Sequence, residues 1–411
     1  MSKNILIINE YAGSPSYGMT FRHFYLAKEF IKKGHATTIV SGSYSHFLKK
    51  YPDMDAKIFR NENVEGVNFL WVKVIRYTRS YDKKRVFKWF EFASKLFFIS
   101  KHLQAKPDVI ICSSTPLFAI LPAYYLAKKY KAKLVFEVRD VWPLTLISIG
   151  KFSENNLFIR FMGWFEKFSL QKSDLIVSNL SNYTQHIQEL GIDRKAFWIS
   201  NGIDLDEMTK TEKLPTEIES KIPRDKFIVG YTGKLGVSNA IIYLLQAAKI
   251  LEKNNNIVFV IVGNGQEKQY LQSFAKDLEN VIFIDTVNKT QIPLILELFD
   301  VCFLGWKKEE LYKFGVSPNK LFDYMYSSTP ILQAIDIKND IVEKSHCGVC
   351  VEAENIEAIA GAVMQLYNMN DEERKTLGQN AKRHVLENFT YEKLADRFLS
   401  ILETRYYREK S

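Results

Sequence analysis

The chain has no apolar run that reaches the roughly 18 residues a membrane span needs, so no spanning helix is expected. It has only four cysteines. Cys112 and Cys302 lie in apolar, strand-like runs and read as packed thiols. Cys347-Gly-Val-Cys350 has redox or metal spacing, but no second pair accompanies it, which favours a structural role. The histidines lack HExxH or other zinc spacing. Zinc-finger spacing, a helix-turn-helix signal and an RNP-type aromatic motif are also missing, which argues against nucleic acid as a partner. GxGxxG is absent, so a dinucleotide site is not expected. Two DxD triplets occur, Asp53-Met-Asp55 and Asp204-Leu-Asp206. One lies in a polar turn and the other opens a charged stretch, so both read as structural and no metal cofactor is expected. The beginning, MSKNILIINEY, reads as a strand without the ordered layout of a signal peptide, which points to the cytoplasm.

What is present fits a globular protein: 411 residues, 46% hydrophobic and 25% charged, long enough for two domains. Strand-like and helix-like segments alternate. Asn4–Asn9 is a buried strand, Met19–Lys33 an amphipathic helix, and Ala36–Val40 the next strand. Asp108–Cys112, Leu134–Val138, Leu175–Val177 and Ala196–Ile199 continue the series, with helices over Leu117–Tyr130 and Leu157–Lys172 between them. A second series takes in Ile228–Tyr231, Val258–Val262, Val281–Ile284, Val301–Leu304, Ile331–Gln333 and Val349–Val351, and a final helix covers Tyr391–Arg405. Uniformly apolar strands separated by helices predict an α/β fold of two Rossmann-like, doubly wound domains. The expected divisions are 1–203, a charged linker at 204–226 with Pro215 and Pro223, 227–389, and a C-terminal helix at 390–411 packing back towards the first domain. Such domains bind ligands outside the carboxyl ends of their strands, here in a cleft.

The strand-end loops carry the candidate residues. Glu10–Gly18 holds Gly13 and precedes a helix start, with Arg22 one turn inside, which suits an anion or a sugar hydroxyl. Glu137-Val138-Arg139-Asp140 sets an acidic pair astride an arginine: either Arg139 holds a phosphate and Asp140 a hydroxyl, or the pair only fixes the loop. Thr232-Gly233-Lys234-Leu235-Gly236 is a small loop with one lysine, suited to a diphosphate. Gly263-Asn264-Gly265 leaves room for close backbone approach, and a planar base could rest near Val287 and Lys289. Gly315-Val316-Ser317-Pro318-Asn319-Lys320 opens a helix. Gly315 can take angles other residues avoid, Ser317 is a good N-cap, and Pro318 fits the first helical position. Lys320 and Asp323 fall within the first turn or so, where helix-end amides and a carboxylate could hold phosphate and sugar hydroxyls.

The segment 83–106 holds seven Lys or Arg against one Glu. Lys84, Lys88, Glu91, Lys95 and His102 fall on one helical face, and Trp89, Phe90 and Phe97 opposite. That pattern is either a helix lying in a membrane interface or an ordinary helix packed on the sheet. The formal charge of +9 fits phosphorylated ligands or an anionic membrane surface.

Taken together, EVRDVWP, SNGID at Ser200–Asp204, GYTGKLG at Gly230–Gly236, VGNG at Val262–Gly265 and GVSPNKLFDYM resemble the family 4 glycosyltransferases of GT-B fold. Nearly the whole chain is covered. The pattern is similar to the bacterial O-antigen and capsule branch typified by L-fucosamine transferases. The resemblance implies a retaining transfer of a sugar, such as L-FucNAc, from a UDP-sugar to an undecaprenyl-diphosphate-linked saccharide at the inner face of the membrane. It places Asp323 on the nucleotide ribose and Lys234 on the diphosphate. The first of the family's two glutamates falls at Gly315 and its second diphosphate cation at Ala240, so both are missing here; Lys320 is the substitute on offer. The family's His-Asp is Arg139-Asp140. Two other readings share the pattern: a UDP-sugar 2-epimerase, and a non-catalytic scaffold that binds sugar nucleotides or membranes.

Overall fold

The computed structural model describes residues 2–18, 21–77, 84–337 and 340–404. The chain divides into two compact units, Met1–Ser200 with Tyr391–Ser411, and Asn201–Thr390. Met19, Thr20, Lys83 and Arg405, which the sequence reading places in helices or the basic segment, lie outside the described residues.

The first unit is built on eight strands: β1 (Asn4–Ile8), β2 (Ala36–Gly42), β3 (Phe59–Val64), β4 (Val67–Val72), β5 (Val109–Ser113), β6 (Lys133–Val138), β7 (Leu175–Ser178) and β8 (Phe197–Trp198). Their order is β3-β4-β2-β1-β5-β6-β7-β8. All neighbours pair in parallel except β3 and β4. That hairpin was not expected from the sequence. β3 reads FRNENV, polar at most positions because it lies at the sheet edge with solvent beside it. Glu65 and Gly66 join the two strands with φ of 51° and 87°, the two-residue geometry that matches strand twist.

The second unit has six parallel strands: β9 (Phe227–Thr232), β10 (Ile257–Val262), β11 (Val281–Ile284), β12 (Val301–Gly305), β13 (Ile331–Ala334) and β14 (Gly348–Val351). Their order is β11-β10-β9-β12-β13-β14. β9, β10 and β12 are buried at every position, as strands covered on both faces must be. Leu244, Ala248, Ile359 and Val363 from two helices pack on Val229, Phe259 and Phe303 of the sheet.

The segment 204–226 belongs to the second unit. Asp204 caps a single-turn helix, Leu205–Met208, by accepting from the Glu207 amide at 3.0 Å. The Glu212 amide donates to the Thr290 carbonyl at 3.0 Å. Asp53 accepts from the Asp55 amide at 3.1 Å, so both DxD triplets include a local backbone bond. The last helix, Tyr391–Glu403, packs in the first unit on the helix Arg22–Lys32. Tyr25 meets Tyr391 at 5.0 Å, Phe30 meets Phe398 at 5.7 Å, and Lys33 pairs with Asp396 at 2.7 Å.

Candidate active site

In the second unit, the turns after β9 and β10 touch so closely that two of them must be glycine. A Cβ on Gly263 would lie 1.9 Å from the Gly233 carbonyl oxygen. Both residues have positive φ, 139° at Gly233 and 145° at Gly263, which other residues rarely adopt. The Leu235 amide donates to the Asn264 carbonyl at 2.9 Å, and a Cβ on Gly265 would strike Leu235. These glycines therefore serve loop-on-loop packing. The packing holds the exposed side chain of Lys234 at the strand end.

Lys320 reaches the same turn from the helix Asn319–Tyr326. Its Nζ donates to Tyr231 Oη at 2.5 Å and to Asn239 Oδ1 at 3.2 Å, and sits 4.0 Å from the Tyr231 ring centre. Tyr231 Oη in turn donates to the Lys234 carbonyl at 2.7 Å, and Asn239 Nδ2 donates to it at 3.0 Å. Burial pushes the Lys320 ammonium down to about 7. Ala240, where the resembled family carries its second cation, is buried with φ 52°. Asn239 beside it thus brings Lys320 next to that position.

The helix start differs from the expected cap. Its cap position is Pro318, in extended geometry. Ser317 does not cap: its hydroxyl accepts from the Asn201 amide at 2.8 Å, and Asn201 Nδ2 donates to its carbonyl at 2.6 Å. Gly315 has φ 106°, and Tyr324 Oη accepts from the Thr232 amide at 2.8 Å, fixing the helix to the end of β9. Val316 is half-buried and Asn319 exposed. Asp323 and Lys289 line a cavity of about 260 Å³ with Met208, Thr290, Pro293 and Tyr326. Burial raises the Asp323 carboxyl above its usual range, and Lys289 opposes that rise. Val287 does not line this cavity.

In the first unit several expected ligand-facing residues turn inward. Arg22 is buried. Its Nε donates to Glu137 Oε1 at 3.0 Å and its Nη2 to the Ile199 carbonyl at 2.7 Å. His23 Nε2 lies 2.7 Å from the other Glu137 oxygen. Burial would raise Glu137, but Arg22 and His23 hold it well below the usual carboxylate range. Arg22 is thus a structural tie, because a carboxylate buried near the end of β6 needs a cation. Gly13 is buried as well. Arg139 is half-buried; its amide donates to Ser114 Oγ at 3.1 Å, and its Nε finds no partner among the described residues. Asp140 is solvent-accessible, yet desolvation raises its carboxyl, with Arg139 opposing.

The basic stripe also needs correction. Lys88 and Glu10 are both fully buried, 3.2 Å apart, and Lys88 Nζ donates to the Tyr44 carbonyl at 3.1 Å. Trp89 is buried and donates to Tyr11 Oη at 2.8 Å. Lys95 pairs with Glu91 and donates to the Lys73 carbonyl, both at 2.6 Å. Only Lys84, Phe90 and Phe97 of the expected membrane residues are exposed. A helical wheel cannot show that a lysine has a buried partner in a distant strand-end residue such as Glu10.

Comparison with known proteins places the two units in one class. Solved structures that superpose on nearly the whole chain include sucrose-phosphate synthase from Thermosynechococcus elongatus, with a TM-score of 0.73 and 14% identity over 97% of this chain and 98% of that one. HepE of Anabaena in complex with UDP and glucose gives a TM-score of 0.66 and 13% identity over 98% of this chain and 100% of that one. The fold is GT-B. Residues 18–207 match the "Glycosyltransferase Family 4" family and 215–384 match "Glycosyl transferases group 1". The chain belongs to this glycosyltransferase family.

Among curated relatives, the capsular polysaccharide biosynthesis glycosyltransferase CapM of Staphylococcus aureus is 26% identical over 57% of this chain and 59% of its own length. The Escherichia coli UDP-Gal:alpha-D-GlcNAc-diphosphoundecaprenol alpha-1,3-galactosyltransferase is 25% identical over 57% of this chain and 61% of its own. The poly(ribitol-phosphate) alpha-N-acetylglucosaminyltransferase of Staphylococcus aureus (strain COL) is 27% identical over 43% of this chain and 35% of its own. The matches thus span about a third to three fifths of these relatives' lengths.

The buried cation of the first unit yields a stability test. Arg22→Met should cost about 3–5 kcal/mol by stranding the Glu137 carboxylate, read as a lower denaturant midpoint. An unchanged midpoint would show that Glu137 does not depend on Arg22.

Proposed function

We propose that the protein transfers a sugar from a UDP-sugar, with retention of configuration, to an undecaprenyl-diphosphate-linked saccharide in O-antigen or capsule synthesis, while peripherally associated with the inner face of the membrane. The donor sugar is of the N-acetylated amino class, such as L-FucNAc. The observation that carries the reading is one helix, Asn319–Tyr326, bearing Lys320 against the Lys234 turn and Asp323 in a nucleoside-sized cavity. Family membership supports the reaction class. The printed names of two relatives support the acceptor and sugar classes: a diphosphoundecaprenol-linked GlcNAc for one, an N-acetylglucosaminyl group for the other.

The chemistry follows from charge. Departure of a nucleoside diphosphate builds negative charge that preorganised cations must meet. Lys234 and Lys320 take that role without a metal, and the amides of Val316 and Ser317 add to it. Lys320 stands in for the cation missing at Ala240. Asp323 accepts from the ribose hydroxyls and Lys289 flanks the nucleoside. Arg139 and Asp140 contact the transferred sugar or the acceptor. Their roles rest on position, since the acceptor can attack from the leaving-group side without a protein nucleophile.

Asp323→Asn should weaken UDP binding about tenfold, the scale of one charge-assisted hydrogen bond, read by calorimetry. Lys234→Ala and Lys320→Ala should each lower turnover at least about a hundredfold. Turnover should persist in EDTA; an absolute Mg²⁺ requirement would contradict the cation assignment.

The Lys320 ammonium also gives a pH dependence. Burial sets it to about 7 in the free protein, and a diphosphate beside it favours the charged form. Binding above that pH takes up a proton, so the UDP dissociation constant should rise with pH, by about tenfold per unit at the limit. Lys320→Arg, always charged, should flatten the profile. A pH-independent wild-type affinity between pH 7 and 9 would contradict a direct Lys320–diphosphate contact.

A further inference from the structure

The first unit carries an apolar face that the reaction does not use. The helix Leu157–Lys172 buries Ile159, Met162, Phe165 and Leu170 against the unit. Its outer stripe holds Leu157, Phe161 and Trp164, spaced by four and three residues and so aligned on one side. Leu157 is 81% exposed and Trp164 52%. Arg160 and Lys167 lie on the same outer side and are exposed. The single acid of this helix, Glu166, is turned inward and pairs with His186 at 2.8 Å.

The stripe continues onto a second helix. Phe161 lies 6.3 Å from Phe90 of the helix Lys84–Leu96, and both lean on Phe118, at 5.8 Å and 4.2 Å. That helix also exposes Phe87, at 68%, and is followed by Phe98 at 70%. Phe97 contacts the exposed Tyr125 at 5.8 Å. Lys128 is exposed on the adjoining helix Ile120–Tyr130 that carries Tyr125, and Lys84 on the helix Lys84–Leu96 itself. The acid of this helix, Glu91, is taken up by Lys95 and by the Ile75 amide, both at 2.6 Å. The result is a run of exposed rings set among cations, with both helices' acids engaged elsewhere.

We propose that this face docks the protein on an anionic lipid bilayer. Trp164, Phe161, Phe87 and Phe98 enter the headgroup–acyl boundary, and Lys84, Lys128, Arg160 and Lys167 meet lipid phosphates. Aromatic rings settle at that boundary, and cations add attraction to an anionic leaflet. A protein partner fits less well, because lysine is depleted from protein interfaces while an anionic surface rewards it. No helix among the described residues is long and apolar enough to cross a membrane, so a lipid-linked acceptor is met from the surface. The purpose of docking rests on the acceptor class proposed above; the docking itself does not.

The test is flotation of the full chain with vesicles of phosphatidylethanolamine and phosphatidylglycerol, against vesicles of phosphatidylcholine alone. The wild type should float with the anionic vesicles and release as salt rises, since screening weakens surface attraction. Phe161→Ser/Trp164→Ser and Arg160→Glu/Lys167→Glu should each lower partition at least about tenfold, with unchanged thermal unfolding. Lys253→Glu/Lys276→Glu makes the same charge change elsewhere and should float like the wild type. Wild type that stays unbound, or an aromatic double variant that floats fully, overturns the proposal. So does a vesicle-free dimer that the aromatic variant dissociates, which would assign the face to a second copy. Flotation without transfer to any acceptor would keep the docking face and reject the transferase reading. Transfer to a short soluble acceptor without flotation would do the reverse.

Discussion

The contact between Gly233 and Gly263 is the constraint on which the arrangement of the turns after β9 and β10 depends. No side chain fits at Gly263, because the turn after β10 rests directly on the Gly233 carbonyl, and the φ of 139° at Gly233 disfavours one there. The same bareness leaves space for a lysine: a Cβ on Gly233 would come within 2.8 Å of Lys320 Nζ. Tyr231 and Asn239 then bind both that ammonium and the carbonyl of Lys234. The backbone of Lys234 and the ammonium of Lys320 thus come from separate stretches of the unit's sequence to one strand end, sharing Tyr231 and Asn239. Burial pushes the Lys320 ammonium down to about 7, because withdrawal from water disfavours its charged form.

The first unit solves the opposite problem. Its sheet encloses carboxylates, and it brings cations inward to meet them. Arg22 and His23 close on Glu137, and Lys88 closes on Glu10. In the second pair burial wins: it pushes Glu10 up to about 7 although Lys88 opposes it. Breaking either pair leaves a buried charge, which costs far more than an exposed ion pair ever contributes. Elsewhere on this unit, exposed cations stand beside exposed rings on two neighbouring helices.

Much of the architecture was legible in the sequence because buried parallel strands are uniformly apolar. β9 and β10 read FIVGYT and IVFVIV, and no polar alternation blurs them. The β3–β4 hairpin was not legible, since an edge strand carries a polar sequence that local patterning assigns to a loop. Lys320 was legible from its place at a helix start. Its partners Tyr231 and Asn239 were missed: Tyr231 sits within an apolar strand, and only its position two residues before Gly233 hints at a role. The sequence reading sets Lys88 and Trp89 on opposite faces of a helical wheel, yet adjacent residues lie only about 100° apart, and Lys88, Trp89, Phe92, Ala93 and Leu96 share one buried arc of the helix. Periodicity shows which residues share a face; it cannot show which distant carboxylate waits beneath a lysine.

The central claim is acceptor-dependent sugar transfer from a UDP-sugar. It is tested most directly by following UDP release from a panel of UDP-sugars with and without an undecaprenyl-diphosphate-linked saccharide, while the lipid product is weighed by mass spectrometry. The account predicts that UDP appears only with the acceptor and that the lipid gains the mass of one sugar residue, with the anomeric configuration of the donor kept. UDP release or sugar epimerisation without an acceptor, or no turnover of any UDP-sugar on any lipid-linked saccharide, would contradict it.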